Sequence, residues 1–143
     1  MADVGASLRI LTLALASGVA VFAAIALAVG PVADTPPETA MLYFGIAAAA
    51  SATTAAGAVL VQKHLRDRLA MAEPGTDPDA LIRTMHVVSM AMAEGGALLA
   101  VVFALLTGQW IFVGLVLPFF AIAAMFFPSE SRLAGLRAMA EAR

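Results

Sequence analysis

Apolar residues follow one another along this chain in long uninterrupted runs, without the regular polar positions of an amphipathic helix or a half-buried strand. A helix needs about 20 apolar residues to cross a bilayer. Four runs meet that length, at about 8–30, 41–63, 80–107 and 110–127. We therefore predict an all-α integral membrane protein in which four transmembrane helices form a single domain over residues 1–143.

The composition agrees with this pattern. Hydrophobic residues make up 62% of the 143 residues and charged residues 13%, with a mean hydropathy of +0.96; average soluble domains have about 45–50% and about 25%. A chain this short has too little interior to bury the excess, so the lipid bilayer is the expected partner. The net charge of −2 gives no argument for nucleic acid, and the absence of cysteine excludes disulfides and thiolate chemistry.

Charged residues divide between the two ends of the predicted bundle. The first loop, "PVADTPPETA", carries Asp34 and Glu38 and no basic residue. Every Lys and Arg falls on the opposite side of the four spans: Arg9, Lys63, Arg66, Arg68, Arg83, Arg132, Arg137 and Arg143. Positive residues mark the cytoplasmic side, so we predict cytoplasmic N- and C-termini in a plasma or inner membrane. The uncharged run 10–33 is longer than a signal-peptide core of about 7–15 residues, so we expect an uncleaved first span.

Local signals indicate where the third and fourth helices begin and bend. In "TDPDALIR", Asp77 is a candidate N-cap, with Pro78 at the first helical position and Asp79 in the first turn. Gly108 then separates the third span from the fourth by a tight turn. Within the fourth span, Pro118 lacks a backbone N–H and should bend the helix.

The cytoplasmic tail, residues 129–143, reads as a surface helix. Leu133, Leu136 and Met139 recur at helical spacing and could rest on lipid headgroups, with Arg132, Arg137 and Arg143 favouring anionic lipid. The other interpretation is a solvated helical tail.

The stretch "SMAMAEGGALLAVVF" contains one acidic residue, Glu94, in an otherwise apolar third span. Glu94 lies about 16 Å along the helix beyond Arg83, near the middle of the bilayer. A charge at that depth is costly, and intramembrane acids commonly serve a function, so Glu94 is a candidate proton-binding residue. The alternative is a protonated side chain that hydrogen-bonds helices together. Gly95 and Gly96 follow directly and permit close packing or backbone access.

The second span presents small residues at a spacing of four: Gly45, Ala49, Thr53 and Gly57. Such a face lets two helix backbones approach closely in lipid. Its partner is either the third helix or another copy of the chain. A homo-oligomer, or membership of a larger membrane complex, is therefore expected.

A small-residue helix, a basic cytoplasmic loop and a returning helix with a mid-membrane Glu together resemble the proteolipid (c) subunit of rotary ATP synthases over residues 41–107. "DPDALIRTMHVVSMAMAEGGALLAVVFALLTG" is similar to the loop and second helix of that family. The resemblance implies that Glu94 is the proton-carrying carboxyl of an oligomeric subunit. The first and fourth helices have no counterpart in the family's two-helix protomer.

Other chemistry has little support in the sequence. His64 and His86 lie at the cytoplasmic ends of the second and third spans, and two facing histidines could ligate a haem or a metal. There is no further His and no Cys, so we predict no metal and no cofactor. No nucleophile elbow, phosphate loop, HExxH sequence or paired carboxylate occurs, and we do not expect an enzyme. The two open hypotheses are a proton-linked subunit or transporter and a non-catalytic structural subunit.

Overall fold

The computed structural model describes residues 3–71 and 76–141, and these residues form helices with no strand. The helices are α1 (Val4–Val29), α2 (Pro37–Ala70), α3 (Pro78–Thr107), α4 (Ile111–Gly114), α5 (Leu117–Met125) and α6 (Glu130–Glu141). The all-α prediction is confirmed. Three helices, α1 to α3, are long and apolar enough to cross a membrane, and a fourth span exists if Ile111–Met125 and α6, bent by 64°, count as one.

The long helices pack around α3, which contacts α1, α2 and the segments after Thr107. Two hydrogen bonds show that α1 and α3 are parallel neighbours. Thr12 pairs with His86 near one end, and the Val32 backbone N–H donates to the Leu105 carbonyl at 3.1 Å near the other. At that second end Tyr43 of α2 stacks on Phe103 of α3, with ring centroids 4.7 Å apart. α3 is therefore the axis of the bundle.

Both predicted ends of α3 are confirmed. The Asp77 carboxylate accepts the Asp79 backbone N–H at 2.9 Å, and Pro78 occupies the first turn, where its missing N–H costs nothing. Gly108 ends the helix in the left-handed conformation with φ 66°. A Cβ at Gly108 would also meet the Pro31 ring at 2.7 Å. Glycine is thus required by both backbone conformation and space.

The predicted fourth span is two short helices. α4 ends at Gly114, and the chain returns to helix at Leu117, immediately before Pro118. The break lies where the proline ring and its missing N–H would disturb a continuous helix, so the helix is interrupted at Pro118, whereas the 64° bend of this region lies after Met125. Ile111–Met125 is about 22 Å long at 1.5 Å per residue. That is shorter than the roughly 30 Å hydrocarbon core, so a fourth span requires that Ile111–Met125 and α6 count as one bent segment.

The C-terminal tail folds back onto the bundle as α6, and Arg143 lies outside the described residues. Leu133 and Leu136 are only 4% and 6% exposed. They join a second apolar cluster with buried residues of α1, α2 and α3: Leu8, Leu65, Leu69 and Ile82. Neither interpretation of the tail, with its leucines on headgroups or in solvent, holds for these two residues, because the long helices continue past their apolar spans and offer a protein surface for burial. Met139 remains exposed.

Candidate functional site

Glu94 lies near the middle of α3, about 24 Å from its first residue. Its side chain is partly exposed. Among residues 3–71 and 76–141, no hydrogen bond or ion pair reaches its carboxyl group. In that same part of the chain no buried side-chain oxygen or nitrogen lacks a partner, so the Glu94 oxygens reach the molecular surface. The carboxyl can therefore be reached by molecules outside the chain.

The face of α3 that carries Glu94 lies at the boundary between the buried core of the bundle and its exposed surface. Met90 and Val101, which share this face, are 1% and 4% exposed, whereas Val87 is 41% exposed. Thr12 and His86, which are hydrogen-bonded, lie 74 positions apart in the chain. Because α1 and α3 run parallel, the residue of α1 at the same height as Glu94 is therefore about Ala20, which is exposed. No charged residue of α1 lies near that height. A carboxylate there has no cation on α1 to compensate it.

The two glycines after Glu94 have different environments. A Cβ on Gly95 would meet nothing within 4 Å. A Cβ on Gly96 would overlap the Thr54 hydroxyl and approach the Ser51 Cα to 3.0 Å. The Ser51 hydroxyl donates to the Gly96 carbonyl at 3.4 Å. Gly96 is thus the close-packing glycine between α2 and α3, whereas Gly95 leaves open space beside Glu94.

The small-residue face predicted on α2 lies mostly outside the α2–α3 interface. Gly45, Ala49 and Thr53 are exposed, and of this set only Gly57 meets α3, at the end of the Met92 side chain. The residues of α2 that are buried lie on another face: Ala40, Ala47, Ser51, Ala58, Gln62, Leu65 and Leu69. α3 therefore packs on another face of α2, and most of the small-residue face stays exposed in the described chain.

A buried polar layer, which was not predicted from the sequence, crosses the bundle near the basic end. Thr12, Gln62, His86 and Ser89 are between 0% and 5% exposed. The Gln62 amide donates to the Ser89 hydroxyl at 3.0 Å, and Ser89 donates to the Met85 carbonyl at 2.8 Å. In the sequence, the signal for this layer was the Gln62 amide among apolar residues, because a polar side chain inside a span normally faces a hydrogen-bonding partner.

Arg132 at the start of α6 closes this layer. Its guanidinium donates to the Gln62 side-chain oxygen at 3.4 Å and to the Met125 carbonyl at 3.0 Å. It also lies 4.9 Å from the centroid of the Phe126 ring, in cation–π range. A cavity of about 10 Å³ beside His86 and Arg132 has room for one water at most. The layer is thus nearly dry and fully hydrogen-bonded.

The two histidines have different surroundings. His64 is exposed and accepts a hydrogen bond from Arg68 on its own helix at 3.1 Å. His86 is buried against Thr12. Within residues 3–71 and 76–141, no three His, Asp or Glu side chains are grouped as a metal site. His86 therefore belongs to the packing of the bundle.

Comparison of the chain with protein-family models, with characterised proteins and with solved structures finds no match.

Proposed function

We propose that this protein is a small multipass membrane protein in which Glu94 binds and releases a proton, as a proteolipid-like oligomeric subunit or in proton-coupled transport. The observation that carries the proposal is the position of the Glu94 carboxyl, midway along a span, at the surface of the chain and without a partner among the described residues. A proton carrier needs a carboxyl that a partner molecule or water can reach.

Two further features support this proposal. A Cβ on Gly95, the residue after Glu94, would meet nothing within 4 Å, so α3 is uncovered next to the residue that carries the carboxyl. The exposed face of Gly45, Ala49 and Thr53 has the small side chains that let helices of separate chains approach closely. Association of copies through α2 would bury these residues and build a seam in which a carboxyl could titrate.

The alternative function is a non-catalytic structural or assembly subunit of a membrane complex, in which Glu94 stays protonated and hydrogen-bonds to a partner chain. A neutral carboxyl donates one hydrogen bond, and within the described chain Glu94 has no acceptor for it. This alternative therefore requires an acceptor on another molecule, and it predicts that Glu94 never changes charge in the working range of pH.

Infrared difference spectroscopy of the protein in bilayers separates the two. The carboxyl stretch that disappears in Glu94→Gln is followed as a function of pH, with Glu38→Gln as the control because Glu38 lies in the exposed first turn of α2. The proton-carrier proposal expects the Glu94 band to change with pH between about pH 6 and 9, because a carboxyl that carries protons must exchange them near the working pH. Proton flux into vesicles should also be lost in Glu94→Gln and kept in Glu38→Gln.

A Glu94 band that stays protonated over this range, together with unchanged oligomer assembly in Glu94→Gln, would reject the proton carrier. A band that stays protonated while Glu94→Gln fails to assemble would instead establish the structural alternative.

A further inference from the structure

A second concave site lies at the basic end of the molecule, between the C-terminal part of α2 and the bend that joins α5 to α6. The cavity has a volume of about 270 Å³ and is lined by Val59, Gln62, Lys63, Arg66, Met125, Phe126 and Arg132. This volume is near the lower limit of small-molecule sites, about 300 Å³. It can hold a compact polar group.

The lining is strongly cationic. Lys63, Arg66 and Arg132 contribute three positive charges, and none of the residues that line the cavity is acidic. Two carboxylates at this end of the molecule are already engaged elsewhere: Glu130 pairs with Arg9 at 3.2 Å, and Asp79 pairs with Arg137 at 2.7 Å. Three cations around one cavity without a lining anion repel one another, and an anion between them would relieve that repulsion.

Arg132 is held in place at the inner wall of the cavity. Of its five N–H donors, the structure uses one for the Met125 carbonyl and one for Gln62, and the Phe126 ring supports the guanidinium plane. Donors therefore remain for a ligand. Burial lowers the pKa of the Arg132 guanidinium, and the neighbouring Arg66 guanidinium lowers it further to a smaller extent.

The exposed apolar residues of the lining identify the kind of anion. Val59 and Met125 are 41% and 60% exposed, and they belong to the apolar part of α2 and to the last turn of α5. The lining of the cavity thus combines cationic residues at the basic end of the molecule with apolar residues that belong to the spans. A lipid presents the same sequence of groups, an anionic phosphate followed by acyl chains, and basic pockets at helix ends are suited to such headgroups.

We propose that this cavity binds the phosphate of an anionic phospholipid, with Lys63, Arg66 and Arg132 around the headgroup and Val59 and Met125 against the first part of an acyl chain. This inference is independent of Glu94. The bound lipid would bridge α2 and α6, and so would tie the folded tail to the bundle.

The test is a titration of the detergent-solubilised full chain with phosphatidylglycerol, in which native mass spectrometry measures the bound fraction. Lys63→Gln/Arg66→Gln removes two lining charges, and neither side chain makes a hydrogen bond within the described residues. Arg68→Gln/Arg83→Gln is the matched control, because it removes two exposed charges from the same end outside the cavity. At about fivefold per charge, the first pair should weaken binding about 25-fold, and the control pair should change it little.

Three results would overturn the proposal. Equal weakening in the two double variants would indicate a diffuse field with no site. Equal binding of zwitterionic phosphatidylcholine would remove the role of the charge. Displacement of phosphatidylglycerol by an equal concentration of inorganic phosphate would show that the cavity takes free phosphate and that the apolar wall contributes nothing.

Discussion

The Thr12 Oγ1 on α1 and the His86 Nε2 on α3 are 2.9 Å apart inside the bundle, in a hydrogen bond whose direction depends on the His86 tautomer. The Thr12 hydroxyl has one hydrogen, and it donates that hydrogen to the Leu8 carbonyl at 2.9 Å. Its oxygen can therefore only accept from His86. This bond fixes the His86 tautomer and ties the two parallel helices together near the basic end.

Thr12→Val should destabilise the protein by about 1–3 kcal/mol, because it keeps the side-chain shape and leaves the buried His86 N–H without an acceptor. The measurement is the free energy of unfolding in mixed micelles. Thr84→Val is the control: Thr84 is exposed and bonds only to Ala80 on its own helix, at 3.0 Å. Equal losses in the two variants would contradict a specific role for the Thr12–His86 bond.

Adjacent glycines of α3 should respond in opposite ways to a methyl group. In Gly96→Ala the new Cβ meets Thr54 and the Ser51 backbone. α2 must then move away, at a cost of about 1–3 kcal/mol. In Gly95→Ala the Cβ meets nothing, so the better helix propensity of alanine should stabilise the protein by up to about 1 kcal/mol. Thermal unfolding in detergent measures both, and a loss in Gly95→Ala equal to that in Gly96→Ala would disprove the assignment.

The sequence predicted the features that depend on neighbours along the chain. The cap at Asp77, the left-handed end at Gly108 and the break before Pro118 follow from local backbone chemistry, which a short stretch contains in full. Glu94 was found because a lone acid in an apolar span is conspicuous, although no pattern in the sequence could say that its carboxyl would have no partner within residues 3–71 and 76–141.

The features that depend on tertiary packing were not predictable in the same way. α2 is rich in small residues on every side, so the spacing of Gly45, Ala49 and Thr53 did not distinguish the inner face from the outer one. The polar residues Ser51 and Gln62 mark the buried face instead. The docking of α6 depended on how far α2 extends, to Ala70, and a hydropathy pattern does not show that length.

The bond between α6 and α3 should depend on pH in the acid range only. Arg137 donates through two nitrogens to the two Asp79 oxygens, at 2.7 and 2.9 Å. Asp79 lies in the first turn of α3, outside the apolar span. Its hydrogen bond with Arg137 lowers the pKa of the Asp79 carboxyl. A lowered folded-state pKa stabilises the docked tail above the unfolded-state value of about 3.9, and this stabilisation is lost as the pH falls through the folded-state pKa.

Hydrogen exchange of α6 should therefore be constant between about pH 5 and 8, after correction for intrinsic rates, and should rise below about pH 4. In Asp79→Asn the acid-dependent step should disappear and exchange should be faster throughout. An Asp79-dependent step near neutral pH would contradict this assignment, because an Asp with a lowered pKa does not titrate there.

Leu136 and Met139, one turn apart on α6, distinguish a tail that packs on protein from one that rests on lipid. Leu136 is 6% exposed and belongs to the cluster with Leu8, Leu65 and Ile82, whereas Met139 is 39% exposed. Leu136→Ala should therefore cost about 2–5 kcal/mol of docking free energy, as buried leucines do, and Met139→Ala should cost little. Limited proteolysis of α6 in detergent, where no bilayer is present, measures the difference. If Leu136→Ala alone releases α6 in detergent, the apolar cluster holds the tail. Release of α6 in detergent from the unchanged protein and from both variants alike would show instead that lipid headgroups hold it.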